Sequence, residues 1–209
     1  MDHALLEKAR AIAPWLEEIF FTLHRRPELG GEERETAALI RRTLEKLGIR
    51  TVPLAETGTM GLLRGGAEGP CLAFRADMDA LPIREETGLP WASQVPGVMH
   101  ACGHDFHTTA LLGAARLLSE ARETLPGTVK FLFQPDEEGE GGAARMIAQG
   151  CLEDPAVEAA FCVHVDSALP VGTAAVGEGT VCAASDPFSL RLRGRGCLLY
   201  TSPSPRDRQ

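Results

Sequence analysis

The sequence predicts an α/β domain. Apolar residues recur at helical spacing near the N-terminus, short apolar runs bounded by glycine or proline read as buried strands, and the two kinds of segment alternate along the chain. Polar chemistry sits where the apolar runs end, which is where sites gather in open α/β sheets.

Leu5, Ala9, Ile12, Leu16, Ile19 and Leu23 return every three to four residues, the period of a helix burying one face. Pro27 and the Gly30-Gly31 pair end it. Ala37, Ile40, Leu44 and Leu47 mark a second helix, with Gly48 where a C-terminal cap belongs. Met60 to Leu63 and Cys71 to Phe74 read as strands, the second apolar enough to lie inside a sheet. Leu81 to Met99 carries Pro82, Pro90 and Pro96 and reads as a loop. A helix is expected from Asp105, with Leu111, Leu112, Ala115 and Leu118 on one face and Asp105 at the positive end of its dipole. Val129 to Phe133 is another buried strand, closed by Gln134-Pro135. Gly139 to Gly142 form a turn, Ala143 to Gln149 a short helix, Val157 to Val165 a strand, and Val171 to Val176 its neighbour.

The 209 residues suffice for about one domain. A hydrophobic content of 44 % argues against disorder. A net charge of −8 speaks against nucleic acid as a partner, since that needs clustered Lys and Arg. No apolar run reaches the ~18 residues of a membrane span. Asp2, Glu7, Glu17 and Glu18 interrupt any signal-peptide pattern. Cys71, Cys102, Cys151, Cys162, Cys182 and Cys197 lack the regular spacing of a disulfide scaffold, so a reduced, cytoplasmic protein is expected.

The chemistry concentrates in His100-Ala-Cys102-Gly-His104-Asp105-Phe-His107, then Glu137-Glu138, then His164. Thiol, imidazole and carboxylate are the donors that hold a divalent cation and lower the pKa of its water. Cys102 and His104 would diverge on a helix, but Gly103 in a turn lets both reach one centre. Cys102 also reads as a small buried hydrophobe or as a nucleophile beside a histidine. Glu137 and Glu138 project to opposite sides of extended backbone, so one could bind metal while the other serves as base. Within Asp136-Glu-Glu-Gly-Glu140 they also read as a solvated acidic turn. His164, in an apolar strand, is a ligand or a hydrogen-bonded core histidine. His3 and His24 read as surface or helix-face residues, and His100 and His107 as site residues without an assigned role.

Together these segments resemble the M20 metallopeptidases, in particular the amidohydrolase branch of hippurate hydrolases, N-acyl-amino-acid amidohydrolases and auxin-conjugate hydrolases. The matching stretches are Arg75-Ala-Asp-Met-Asp-Ala-Leu-Pro-Ile83, Met99-His-Ala-Cys-Gly-His-Asp105, Phe133-Gln-Pro-Asp-Glu-Glu-Gly139, and His164 with Leu169-Pro-Val-Gly172. The likeness covers about residues 5 to 196. It implies a zinc-exopeptidase-like catalytic domain with a central mixed sheet flanked by helices, and metal-dependent hydrolysis of the amide bond of N-acyl amino acids or small peptides. It implies two divalent ions, zinc foremost, with manganese, cobalt or nickel open. Cys102 would bridge them, His104, Glu138 and His164 would be terminal ligands, and Glu137 the general base. Asp79, with Asp77 or Asp105, would orient the ligating imidazoles.

Two departures accompany the likeness. The family completes its site with a further His near the C-terminus of a longer chain, and with a His from a dimerising lid domain. Here residues 1–184 are expected as an incomplete catalytic domain and 185–196 as the lid's first strand, Phe188 to Gly194. Residues 197–209 show neither period, are rich in Ser and Pro, and read as a non-native, disordered tail. The full-length parent is expected to be a homodimeric amidohydrolase and this fragment to be inactive. A non-catalytic metal-binding or scaffold protein on the same fold is the alternative, and the presence of Glu137 argues against it. A closed structural zinc site would need paired ligand spacings that are absent.

Overall fold

The computed structural model describes residues 3–139, 141–180 and 188–194. Cys182, Cys197 and the tail 197–209 lie outside the described residues. The chain divides into two compact units, Met1–Asp166 and Ser167–Gln209. The division falls inside the stretch expected as one catalytic domain.

In the first unit the N-terminal stripe forms two helices, α1 (His3–Ala11) and α2 (Ala13–Arg25), instead of one. The break at Ile12 precedes Pro14, which sits in the first turn of α2, where its missing N–H breaks no helical bond. Helix α3 (Arg34–Lys46) ends at Gly48, whose φ of 69° suits only glycine without strain. Strand β1 (Arg50–Leu54) comes next, then β2 (Gly58–Arg64), β3 (Ala67–Asp77), α4 (His104–Glu120), β4 (Pro126–Gln134), α5 (Gly142–Ala148) and β5 (Ala159–Cys162).

The strands make one mixed sheet in the order β1-β2-β4-β3-β5. Strands β1 and β2 pair antiparallel, as do β2 and β4, while β3 runs parallel to both β4 and β5. On β4, Val129, Phe131 and Phe133 alternate onto one face and join Ile19, Leu23, Ile40, Leu44, Leu111 and Leu112 from α2, α3 and α4 in the main core. Leu132 faces the other way, into a smaller core with Met146 of α5 and Cys151. Lys130 is fully buried, its ammonium donating to the carbonyls of Cys151 and Glu153.

The parallel triplet sets up the site. Asp77 lies in register with Gln134, and Arg75 with Cys162, so β3, β4 and β5 end at one edge of the sheet. Asp79 just past β3, Glu137-Glu138 just past β4 and His164 just past β5 all leave from that edge.

The second unit contains no strand among its described residues. Val171 to Val176, expected as a neighbour of β5, is not a strand: Pro170 accepts both the N–H and the hydroxyl of Thr173, closing a turn where a ladder would start. Phe188 to Gly194 likewise carries no ladder pairing, and Phe188, Leu190 and Leu192 are exposed. An alternating segment without a partner strand has no bonds to hold it as a strand.

Candidate metal centre

The site is assembled around His104. Gly103, at φ 82°, precedes α4 and turns the chain so that Cys102 and His104 serve one centre. Asp79 Oδ1 lies 3.1 Å from His104 Nδ1, and both side chains are buried. A carboxylate only accepts, so Nδ1 carries the proton and Nε2 points inward. Nε2 is buried and has no hydrogen-bond partner among the described residues. It faces Asp77 Oδ1 at 3.8 Å, Glu137 Oε2 at 3.9 Å and Glu138 Oε1 at 3.9 Å. The other oxygen of Asp79 accepts the backbone N–H of Glu138 at 3.0 Å, so one carboxylate aligns both the imidazole and the acidic turn.

Cys102 Sγ lies 3.4 Å from His164 Nε2, whose Nδ1 donates to the Val165 carbonyl at 2.7 Å. The ligand atoms of Cys102, His104 and His164 lie within 4.8 Å of one another, and so do those of His104, Glu137 and Glu138. A third group, Asp77, His104 and His107, meets the same limit and is wholly buried. The fold therefore brings Cys102, His104, Glu137, Glu138 and His164 together, with Asp77 and Asp79 behind them.

The electrostatics favour a cation. Burial, the Glu138 carboxylate and the charges of Asp77 and Glu137 push the Cys102 thiol up to about 12. A nucleophilic thiol needs the opposite shift, so the Cys–His nucleophile reading loses its chemistry even with His164 adjacent. Nor is Cys102 an inert core thiol, since it is only half-buried and faces polar groups. Burial pulls the His104 pKa down, but the Asp79 hydrogen bond and the charges of Asp77, Asp79 and Glu137 raise it on balance. For Asp77 and Asp79 burial acts upward, yet hydrogen bonds from His107 and His104 respectively hold both carboxyls below the usual range. An orphaned imidazole nitrogen, a thiol and two carboxylates within reach of it are a donor set that fits a divalent cation such as zinc.

Several residues sit otherwise than the sequence suggests. Asp105 orients none of the clustered imidazoles. One residue along α4 from His104 it faces away from the site, and it receives His24 Nδ1–H at 2.6 Å. Of the two readings of His24 the helix face holds, since it lies on α2, and its other nitrogen lies 3.3 Å from Glu85. Of the two readings of His164, the core histidine fails, because its side chain is exposed, and it stands instead 3.4 Å from Cys102. His100 is buried outside the donor groups, and burial holds its imidazole below the ordinary range.

The acidic turn depends on residues that the sequence did not single out. Asp136 has a φ of 51°, unusual for a side-chain-bearing residue. Its N–H donates to Glu33 Oε1 at 2.7 Å, and Thr57 donates to Glu33 Oε2 at 2.6 Å. Glu33 is fully buried at the start of α3. The Asp136 carboxylate pairs with Arg145 at 2.9 Å and packs so closely against Gly30 and Gly139 that a Cβ on either would strike it. Nothing local in Gly30-Gly-Glu-Glu33 announces a partner 103 residues away.

Residues 73–199 match the model of "Peptidase family M20/M25/M40". The chain is 48 % identical over 176 residues to N-acetylcysteine deacetylase of Bacillus subtilis, and 46 % identical over 192 residues to IAA-amino acid hydrolase ILR1-like 4 of Arabidopsis thaliana. These alignments cover 83 % and 91 % of this chain but 46 % and 43 % of the relatives, so the chain spans less than half their length. Among solved structures, the YXEP protein of Bacillus subtilis, described as a dinuclear metal-binding peptidase of the M20 family, superposes with a TM-score of 0.74 at 45 % identity, covering 78 % of this chain and 46 % of that one. The mixed sheet, the clustered donors and the match over more than half of the sequence place the chain in one family: it belongs to peptidase family M20/M25/M40.

Proposed function

We propose that this chain carries the metal-binding half of an amidohydrolase that cleaves the amide bond of N-acyl amino acids or small peptides. Cys102, His104, Glu138 and His164 would hold the two divalent ions. The ions, when bound, polarise the amide carbonyl and acidify water. Glu137 takes the proton from the attacking water and delivers it to the leaving amine, a role that needs a carboxylate free of structural hydrogen bonds and reachable from solvent. Its side chain is 38 % exposed and borders His104. Asp79 holds the His104 tautomer, and Asp77 stands behind the cluster. The names of two relatives, a deacetylase of an N-acetyl amino acid and a hydrolase of amino-acid conjugates, support the substrate class.

The observation that carries the reading is His104 Nε2. It is a buried imidazole nitrogen whose tautomer is fixed by Asp79 and which has no hydrogen-bond partner among the described residues, amid a thiol and two glutamates. Such an atom costs about 1–3 kcal/mol unless something binds it. Metal analysis of the chain beside its Cys102→Ala variant tests the assignment. The wild type is expected to hold divalent metal and the variant to lose it, and equal content in both would refute the ligand set. We further propose that the 209-residue chain binds metal without turning over N-acyl amino acids. The basis is that it spans 46 % of the deacetylase it resembles and 43 % of the hydrolase. Hydrolysis by this chain at ordinary enzymatic rates would overturn that part.

A further inference from the structure

We propose that His107 is a positioning residue that fixes His164 against the Cys102 turn, and that it is not itself a ligand. The inference rests on the metal reading above and adds a role that the donor geometry alone leaves open, because Asp77, His104 and His107 are close enough together to hold an ion of their own.

The hydrogen bonds decide between ligand and positioner. His107 lies one helical turn beyond His104 on the same face of α4, and its side chain is 1 % exposed. Asp77 Oδ1 lies 2.6 Å from Nδ1, so that nitrogen carries the proton. The Val165 N–H donates to Nε2 at 2.9 Å. Both ring nitrogens are therefore engaged, and no lone pair remains for a cation. His104 is the reverse case, with one nitrogen held and the other unpartnered among the described residues.

What His107 holds is the backbone beside His164. The ladder between β3 and β5 stops at Cys162, so the next residues leave the sheet. Val165 gives its N–H to His107 and its carbonyl to His164 Nδ1, and one residue's backbone thus links the two imidazoles. The rings stand 4.5 Å apart, edge to face. The Val165 side chain packs onto Gly103, between Cys102 and His104, at a point where a Cβ would collide. The sequence Asp77 to His107 to Val165 to His164 then sets where Nε2 of His164 meets Cys102 Sγ.

Two substitutions separate the roles. His107→Gln places an acceptor near the position of Nε2 and loses the donor to Asp77. His107→Asn keeps a donor for Asp77 and loses the acceptor for Val165. In the metal-free 209-residue chain, hydrogen exchange should find the Val165 amide protected in wild type and His107→Gln, and exchanging about tenfold faster or more in His107→Asn. Zinc competition should show His107→Asn weakened by about 10–100-fold, His107→Gln largely restored, and no further loss when His107→Asn is added to His164→Ala. An unprotected Val165 amide in wild type overturns the proposal, and so does a His107→Asn loss that persists undiminished in the His164→Ala background, which would mark an independent ligand or a general structural role. Failure of the wild type to bind zinc would instead strike the metal reading, while the exchange result still judges the Val165 contact. If His107→Asn does not fold, a protected Val165 amide in folded His107→Gln supports the proposal and an unprotected one refutes it.

Discussion

Replacing Glu33 by alanine is expected to loosen the Glu137-Glu138 turn from 103 residues away. The substitution orphans two buried donors, the Asp136 N–H and the Thr57 hydroxyl, which Glu33 accepts at 2.7 and 2.6 Å. Each unmade bond to a buried group costs about 1–3 kcal/mol, and part of this is returned because a buried carboxylate no longer has to be desolvated. The net loss comes to about 2–4 kcal/mol, against a typical total stability of about 5–15 kcal/mol. Glu33→Gln should lose less than about 1 kcal/mol, since its amide oxygen still accepts from Asp136 and its NH₂ can donate to Thr57 once that hydroxyl turns.

The charge of Glu33 adds a pH signature. Burial raises its carboxyl above the ordinary value of 4.5, and the bonds from Thr57 and Asp136 only partly oppose it. A folded acid with a raised pKa keeps its proton when the unfolded chain has released it, so stability falls as pH climbs from 4.5 through the raised value. The margin of wild type over Glu33→Gln should therefore be greatest at or below about pH 4 and shrink above it, as urea unfolding at a series of pH values would reveal. Glu33→Ala as stable as wild type, or Glu33→Gln as damaged as Glu33→Ala, would refute the argument, because each contradicts the claim that an acceptor at this position holds Asp136.

Two other contacts carry expectations of their own. Asp79→Asn forces an amide NH₂ toward either His104 Nδ1–H or the Glu138 N–H, so zinc affinity by chelator competition should fall by about 10–100-fold, and unchanged affinity would show that Asp79 does not set the tautomer. The His24 pKa is raised, first by the Asp105 hydrogen bond and then, against the pull of burial, by Glu85. A histidine with a raised folded pKa gives stability that is complete below its unfolded value of 6.5 and lost as pH rises through the folded value. The stability gap between wild type and His24→Gln in urea should thus narrow with rising pH through and above neutrality. A gap independent of pH would mean that His24 stays neutral between its two carboxylates.

The helices and buried strands were legible because their apolar periods are long and clean, as in Ile40 and Leu44 of α3 or Val129 to Phe133 of β4. Strand β1 was not, since Arg50-Thr-Val-Pro-Leu54 has no apolar run and pairs only along one edge, where Pro53 is tolerated. Pro14 was the local sign that the first helix is two. The donors of the site were visible as residue types, but their supports were not. His104 and His107 share a face of α4 while Asp105 turns from it, and that phase can be worked out from helical spacing once the helix start is fixed at His104. No spacing rule reaches Glu33, whose partners Thr57 and Asp136 are brought to it only by the packing of α3 beside the sheet edge. No helix among the described residues is long and apolar enough to cross a membrane.

Four carboxylates of this centre surround one imidazole and one thiol. Burial is the first cause that drives the Cys102 thiol up to about 12, with Glu138, Asp77 and Glu137 adding to it, while burial lowers His104 and Asp79, Asp77 and Glu137 raise it on balance. Both shifts favour the protonated forms of groups that would serve as ligands. A divalent ion would oppose both effects, since it favours the thiolate and the neutral imidazole. Metal binding at these atoms would then release protons, with an affinity that rises with pH until those groups no longer compete. The framework of Asp79, His107 and Glu33 is built from hydrogen bonds between protein groups. Those bonds hold the turn and the imidazoles without drawing on an ion, so the cluster need not be assembled by a metal.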